Sequence, residues 1–90
     1  MDKKINFKPF LDDAGKIKQL PQKQKARAAV LGYLAEKFET NSIYPEKAVN
    51  ALCMQWHTFN DYLILRRELV DSGLLYRKPD GSHYWKPEQH

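Results

Sequence analysis

Thr58-Phe59-Asn60-Asp61-Tyr62-Leu63-Ile64-Leu65-Arg66-Arg67-Glu68-Leu69-Val70-Asp71-Ser72-Gly73-Leu74-Leu75-Tyr76-Arg77-Lys78-Pro79-Asp80-Gly81-Ser82-His83-Tyr84-Trp85 reads as a helix, its stop signal and a short hairpin. Thr58 is suited to an N-cap, with Asp61 three residues on in a near capping-box arrangement. Gly73 stands where a helix ends in a left-handed residue, and Leu74 supplies the apolar residue of a Schellman ending. Lys78-Pro79-Asp80-Gly81 presets a tight turn between two strands rich in aromatics. Helix, glycine stop and hairpin form the second half of a winged helix-turn-helix. The expected class is therefore α+β: three helices, a C-terminal β-hairpin wing and an N-terminal arm.

On a helical wheel, Phe59, Tyr62, Leu63, Leu65, Leu69 and Val70 share a broad face of this third helix. Arg66 falls in the middle of that face. A charge there must snorkel out or pair with a carboxylate and carbonyls, because a lone buried charge is too costly. The reading favours Arg66 as an internal anchor. Asn60, Ile64, Arg67, Glu68 and Asp71 are expected outside. Asn60 and Arg67 suit bases and phosphates, whereas Glu68 and Asp71 approach phosphates unfavourably. The wing adds Arg77, Lys78, His83 and Lys86, either as phosphate contacts or as an ordinary basic hairpin.

Upstream, Leu20-Pro21 opens a first helix over about residues 22–39, with Ala26, Arg27, Val30, Leu31, Leu34 and Phe38 on one side. Its start is basic and its end acidic, the reverse of what the macrodipole prefers. Ile43-Tyr44 is the candidate for a one-bridge strand pairing with the wing. Pro45-Glu46 begins the second helix, with proline at its first position. Ala48, Val49, Leu52, Cys53 and Trp56 mark the buried side of that helix, to about Gln55. Before all of this, residues 1–20 read as an arm. Asp12-Asp13-Ala14-Gly15 forms its turn, and Phe7, Phe10, Leu11 and Ile17 pin it to the domain. Residues 86–90 are a short polar tail.

Ninety residues with 42% apolar content make one domain, 1–90, with a small core. No apolar run approaches the roughly 18 residues needed to span a bilayer, and no leader pattern is present. A single cysteine, Cys53, excludes an internal disulfide and suits a reducing compartment, so the expectation is a cytoplasmic protein with no membrane partner. The net charge of +4 is unevenly spread. Residues 1–27 hold eight bases against three acids, whereas the rest of the chain is near balance. That basic end either steers the protein to a polyanion or is a solvated face.

Catalytic and metal chemistry find little footing. Cys53 and His57 are spaced i,i+4, with His83 as a conceivable third ligand, but Cys53 sits among apolar residues and reads as a small buried hydrophobe. Asp12-Asp13 is a turn pair. No phosphate-cradling glycine loop occurs. Trp56, Tyr84 and Trp85 are candidates for base stacking, and the favoured reading places them in the core. No enzyme, metal or cofactor is expected.

Leu20-Pro21, Ala29 to Glu39, Tyr44 to Asn50, Asp61-Tyr62, the run Leu65-Arg66-Arg67-Glu68-Leu69-Val70-Asp71-Ser72-Gly73-Leu74-Leu75-Tyr76-Arg77 and the closing Asp80-Gly81-Ser82-His83-Tyr84-Trp85 carry a resemblance. Over about residues 10–86 the chain resembles the domain-of-unknown-function 2087 family. That family is bacterial, occurs alone or attached to helix-turn-helix regulators, and its members are often labelled transcriptional regulators. The resemblance implies a winged-helix-like fold in a regulatory setting and carries over no catalytic residue. Two departures stand out: Pro45 where a serine-like cap is common, and an unusually aromatic Trp56-His57-Thr58-Phe59-Asn60.

The expected function is DNA binding in bacterial transcription regulation, by a regulator or a regulator-associated domain. The expected contacts are Lys23, Lys25, Arg27, Asn60, Arg67, Arg77 and Lys78. The alternative is a non-catalytic protein-interaction or dimerisation module, accessory to a separate DNA reader and using Ile64 and nearby aromatics.

Overall fold

Helix formation begins at Lys23, whose extended backbone leads into α1, Gln24–Ala35. α1 is shorter than the expected 22–39 because its end tightens. Lys37 and Phe38 donate to the carbonyls of Leu34 and Ala35, in the i→i+3 pattern that closes many helices. This narrower turn drives Phe38 into the core. A computed structural model describes residues 7–87 of the chain. The loose start expected over 1–6 and the last three residues of the tail lie outside them.

The chain continues through β1 (Ile43–Pro45), α2 (Glu46–Gln55), α3 (Tyr62–Asp71), β2 (Tyr76–Arg77) and β3 (His83–Trp85). The result is an α+β domain of three helices and a small three-stranded antiparallel sheet, in the order β1-β3-β2. Ile43-Tyr44 does pair with the hairpin, as its sequence suggests. Ile43, Tyr44 and Pro45 face Trp85, Tyr84 and His83, while Tyr76 and Arg77 face Trp85 and Tyr84. Proline on β1 is tolerated because an edge strand does not need every amide. Pro45 is the N-cap of α2 and not its first helical residue.

α3 starts later than expected. The N-cap is Asp61, whose Oδ1 accepts from the Ile64 amide at 3.3 Å, and not Thr58. Thr58 lies three residues further upstream, where its amide donates to the Ile17 carbonyl at 2.9 Å and ties this segment to the arm. Asn60 then turns the chain with φ +58°, a left-handed conformation that Asn adopts more readily than most residues. The end of α3 matches expectation: Gly73 has φ +81°, its amide donates to Val70 O, and the Leu74 amide donates to Leu69 O. Leu75 also donates to Leu69 O, so a single carbonyl carries the chain from helix to hairpin.

Leu65 and Leu69 are fully buried and set the inward face of α3. At 100° per residue, Arg66 and Glu68 then fall on opposite shoulders, and Leu63, Arg67 and Asp71 face outward. This corrects three expectations. Leu63 is 49% exposed and outside the core, Ile64 packs against the core, and Glu68 turns toward α1.

The arm is part of the core. Lys8–Phe10 form a single 3₁₀ turn, and Leu11 bridges Ile17 around the expected turn. Asp12 Oδ1 accepts from the Ala14 and Lys16 amides, and Gly15 has φ +81°. Tyr33 donates to Gly15 O at 2.7 Å, and a β-carbon at Gly15 would crowd that hydroxyl at 3.0 Å. Ile17 is completely buried, donates to Trp56 O and accepts from Thr58 N. The aromatic stretch Trp56-His57-Thr58-Phe59-Asn60 is therefore the seat of the arm. Truncating Ile17→Ala should lower stability by about 2–5 kcal/mol in urea unfolding. The exposed neighbour Lys18→Ala should change it by less than about 0.5 kcal/mol.

Candidate nucleic-acid interface

Where α3 passes the β2–β3 hairpin, their side chains leave a cleft of about 310 Å³ lined by Leu63, Arg66, Arg67, Val70, Asp71, Arg77 and Tyr84. Each strand alternates its side chains between two faces, so Arg77 and its partner Tyr84 both turn to the α3 side. Tyr84 is 1% exposed and floors the cleft.

Three guanidinium groups meet here with different freedom. Arg66 is committed: its Nη1 donates to Asn50 Oδ1 at 2.7 Å and lies 2.8 Å from Glu46 Oε1. It is the internal anchor its place on the wheel suggested. Arg67 is 81% exposed and stands 3.7 Å from Asp71 Oδ2, one turn on. An exposed pair of that kind contributes only about 0.3–0.5 kcal/mol, so Arg67 can exchange Asp71 for another anion. Arg77 is exposed on β2, and Lys78 follows at the base of the hairpin turn, its amide donating to His83 O. Within that turn, the Ser82 hydroxyl and amide donate to Asp80 Oδ1 at 2.7 and 2.9 Å, and these bonds hold its carboxyl below the usual range. The turn keeps them above ordinary carboxylate pH and loses them as pH falls through the lowered value.

The other expected contacts lie apart from this cleft. Lys23 and Lys25 are exposed at the start of α1. Arg27 is half-buried, with Nε donating to Glu68 Oε1 at 2.6 Å, so its charge is already answered. Asn60 lines a separate hollow with Met54, His57, Thr58 and Tyr62. The structure thus gathers Arg67 and Arg77 in one cleft, leaves Lys78 exposed outside the lining of that cleft, and separates Lys23, Lys25, Arg27 and Asn60 from it. Tyr84 lies in the core, as the favoured reading of its aromatic ring has it, and its place as the floor of the cleft follows from its pairing with Arg77.

Cys53 and His57 serve the fold. The Asp61 amide donates to His57 Nε2 at 2.8 Å, so Nδ1 carries the proton and donates to Cys53 O at 2.6 Å. Burial pushes the Cys53 thiol up to about 12, with the charge of Arg66 partly opposing it. Among the described residues, no three His, Cys, Asp or Glu side chains converge on a metal position, and no helix is long and apolar enough to cross a membrane. Iodoacetamide at pH 8 should label Cys53 no faster than the chain unfolds, because the reactive thiolate is scarce and enclosed. Rapid labelling of the native protein would contradict this placement.

A small α+β domain with a basic cleft between its third helix and a hairpin is the class these features define. A family model described as "Uncharacterized protein conserved in bacteria (DUF2087)" matches residues 16–86, and the chain belongs to that family. No curated protein and no solved structure matches it.

Proposed function

We propose that this domain is a winged helix that binds double-stranded DNA, within or beside a bacterial transcriptional regulator. The observation that carries the reading is that Arg67 of α3 and Arg77 of β2 line one cleft. A helix and a hairpin flanking a basic cleft can straddle a sugar–phosphate strand, with the guanidinium groups as bidentate phosphate donors. Lys78, the next residue of the hairpin, adds a third exposed cation outside the lining of the cleft.

The outward face of α3 favours backbone contact over base reading. Leu63, Arg67 and Asp71 are its exposed positions, and only Arg67 offers a donor to a base edge. Binding is therefore expected to tolerate sequence and to rest on counterion release. Lys23 and Lys25 add long-range attraction, while Arg27 is withdrawn from contact by Glu68.

Fluorescence anisotropy with a generic duplex, repeated across salt concentrations, tests this proposal. Three phosphate contacts by Arg67, Arg77 and Lys78 give a log–log slope near −3, and Arg67→Ala or Arg77→Ala should each flatten it by about 0.9. Arg27→Ala should alter stability more than slope. Absence of duplex binding at low salt would refute the proposal.

A further inference from the structure

Tyr84 carries more chemistry than its place in the core requires. Its ring belongs to the core cluster, and only 1% of the residue stays exposed. A phenylalanine ring would fill the same space, and an enclosed hydroxyl costs stability unless a partner answers it. Among the described residues the Tyr84 hydroxyl has no hydrogen-bond partner. No polar side-chain atom there is both fully enclosed and unpartnered, so the trace of Tyr84 that remains exposed includes its oxygen. Tyr84 lines the cleft between α3 and the hairpin, and the hydroxyl therefore opens into that cleft.

Donors approach this point from three directions. Arg67 stands on the α3 wall and Arg77 on the hairpin wall, with Tyr84 at the floor. Arg77 has no ion pair among the described residues, and Arg67 has only the loose 3.7 Å contact with Asp71. Asp71 is the one carboxylate lining the cleft, and an entering anion must take Arg67 from it. Arg66, the third guanidinium of the lining, is already answered by Asn50 and Glu46. Guanidinium groups only donate, so a ligand at their meeting point must accept. A carboxylate offers two oxygens in one plane. A phosphate group arranges its oxygens around a tetrahedron and can meet two walls and a floor at once.

We propose that the cleft is a seat for a single phosphate group. The Tyr84 hydroxyl is the neutral donor that fixes its depth, and the Arg67 and Arg77 guanidinium groups are its charged walls. The seat deepens the DNA-backbone reading of this cleft and rests on it for the source of the phosphate. A strand phosphate and a small phosphomonoester share this chemistry, and the test separates them.

Tyr84→Phe keeps the ring and removes only the hydroxyl, and the full chain is followed in three ways. Duplex affinity, by anisotropy across salt concentrations, should fall about tenfold. Its log–log salt slope should stay that of the wild type, because a neutral donor releases no counterion. The urea midpoint should hold or rise, because the hydroxyl has no partner to lose. Inorganic phosphate, titrated at constant ionic strength, is followed at the Arg67 and Arg77 side-chain Nε signals. Hydroxyl-dependent duplex binding supports the seat, and without a phosphate response it assigns the seat to a strand phosphate. If wild type and Tyr84→Phe bind duplex equally, the seat is overturned while the DNA reading stands. If no duplex binds the wild type, the DNA reading fails and the phosphate titration decides. Shifts that need the hydroxyl then keep the seat for a small phosphomonoester, and their absence overturns it. A lowered urea midpoint in the variant also overturns it, because the hydroxyl would then serve the fold.

Discussion

The roll of α3 about its own axis is the constraint from which the surfaces of this domain follow. Leu65 and Leu69 supply most of the energy, about 1.5–3 kcal/mol each for complete burial. Hydrophobic burial alone tolerates some rotation, because it has no direction. Two polar ties remove that freedom. Arg66 reaches α2 at Glu46 and Asn50, and Glu68 reaches α1 at Arg27, from opposite shoulders of the helix. These half-exposed pairs are each worth on the order of 1 kcal/mol, well below the core contribution. Their effect is angular: with both shoulders held, Arg67 points away from the core.

The hairpin is placed by the end of the same helix. Leu69 O accepts from Leu74 and Leu75, and Gly73 supplies the left-handed residue this ending needs. Leu75 is thereby buried, and β2 starts one residue later with Tyr76 on the outer face and Arg77 on the helix side. Arg67 and Arg77 share a cleft because the roll of α3 and the phase of β2 are fixed together. The same phase aligns Ile43, Trp85 and Tyr76 in an outer row on the opposite face of the sheet. Any shift of one residue in β2 would exchange Tyr76 with Arg77 and abolish the cleft.

Local chemistry made much of this legible in the sequence. Gly73-Leu74, the Pro79-Asp80-Gly81 turn and the Asp12–Gly15 turn are set by residues within a few positions, and each forms as its sequence suggests. Arg66 was readable as an anchor because a charge among leucines has few alternatives. What escaped notice is non-local. Thr58 has the chemistry of a cap, but its segment pairs with Ile17, far upstream, and the helix starts only after Asp61. Glu68 looked solvent-facing until Arg27 on another helix claimed it. Trp85 was grouped with Tyr84 as core, although adjacent strand residues face opposite ways and only Tyr84 is buried.

Amide-shift mapping of the isotope-labelled domain, on titration with a generic duplex at low salt, tests the central claim most directly. The expected result is a contiguous set of shifts over Arg67, Asp71, Arg77 and Lys78, with Ile43, Tyr76 and Trp85 unmoved. Shifts confined to the start of α1, or to the outer row of the sheet, would contradict the assignment of the α3–hairpin cleft as the nucleic-acid surface.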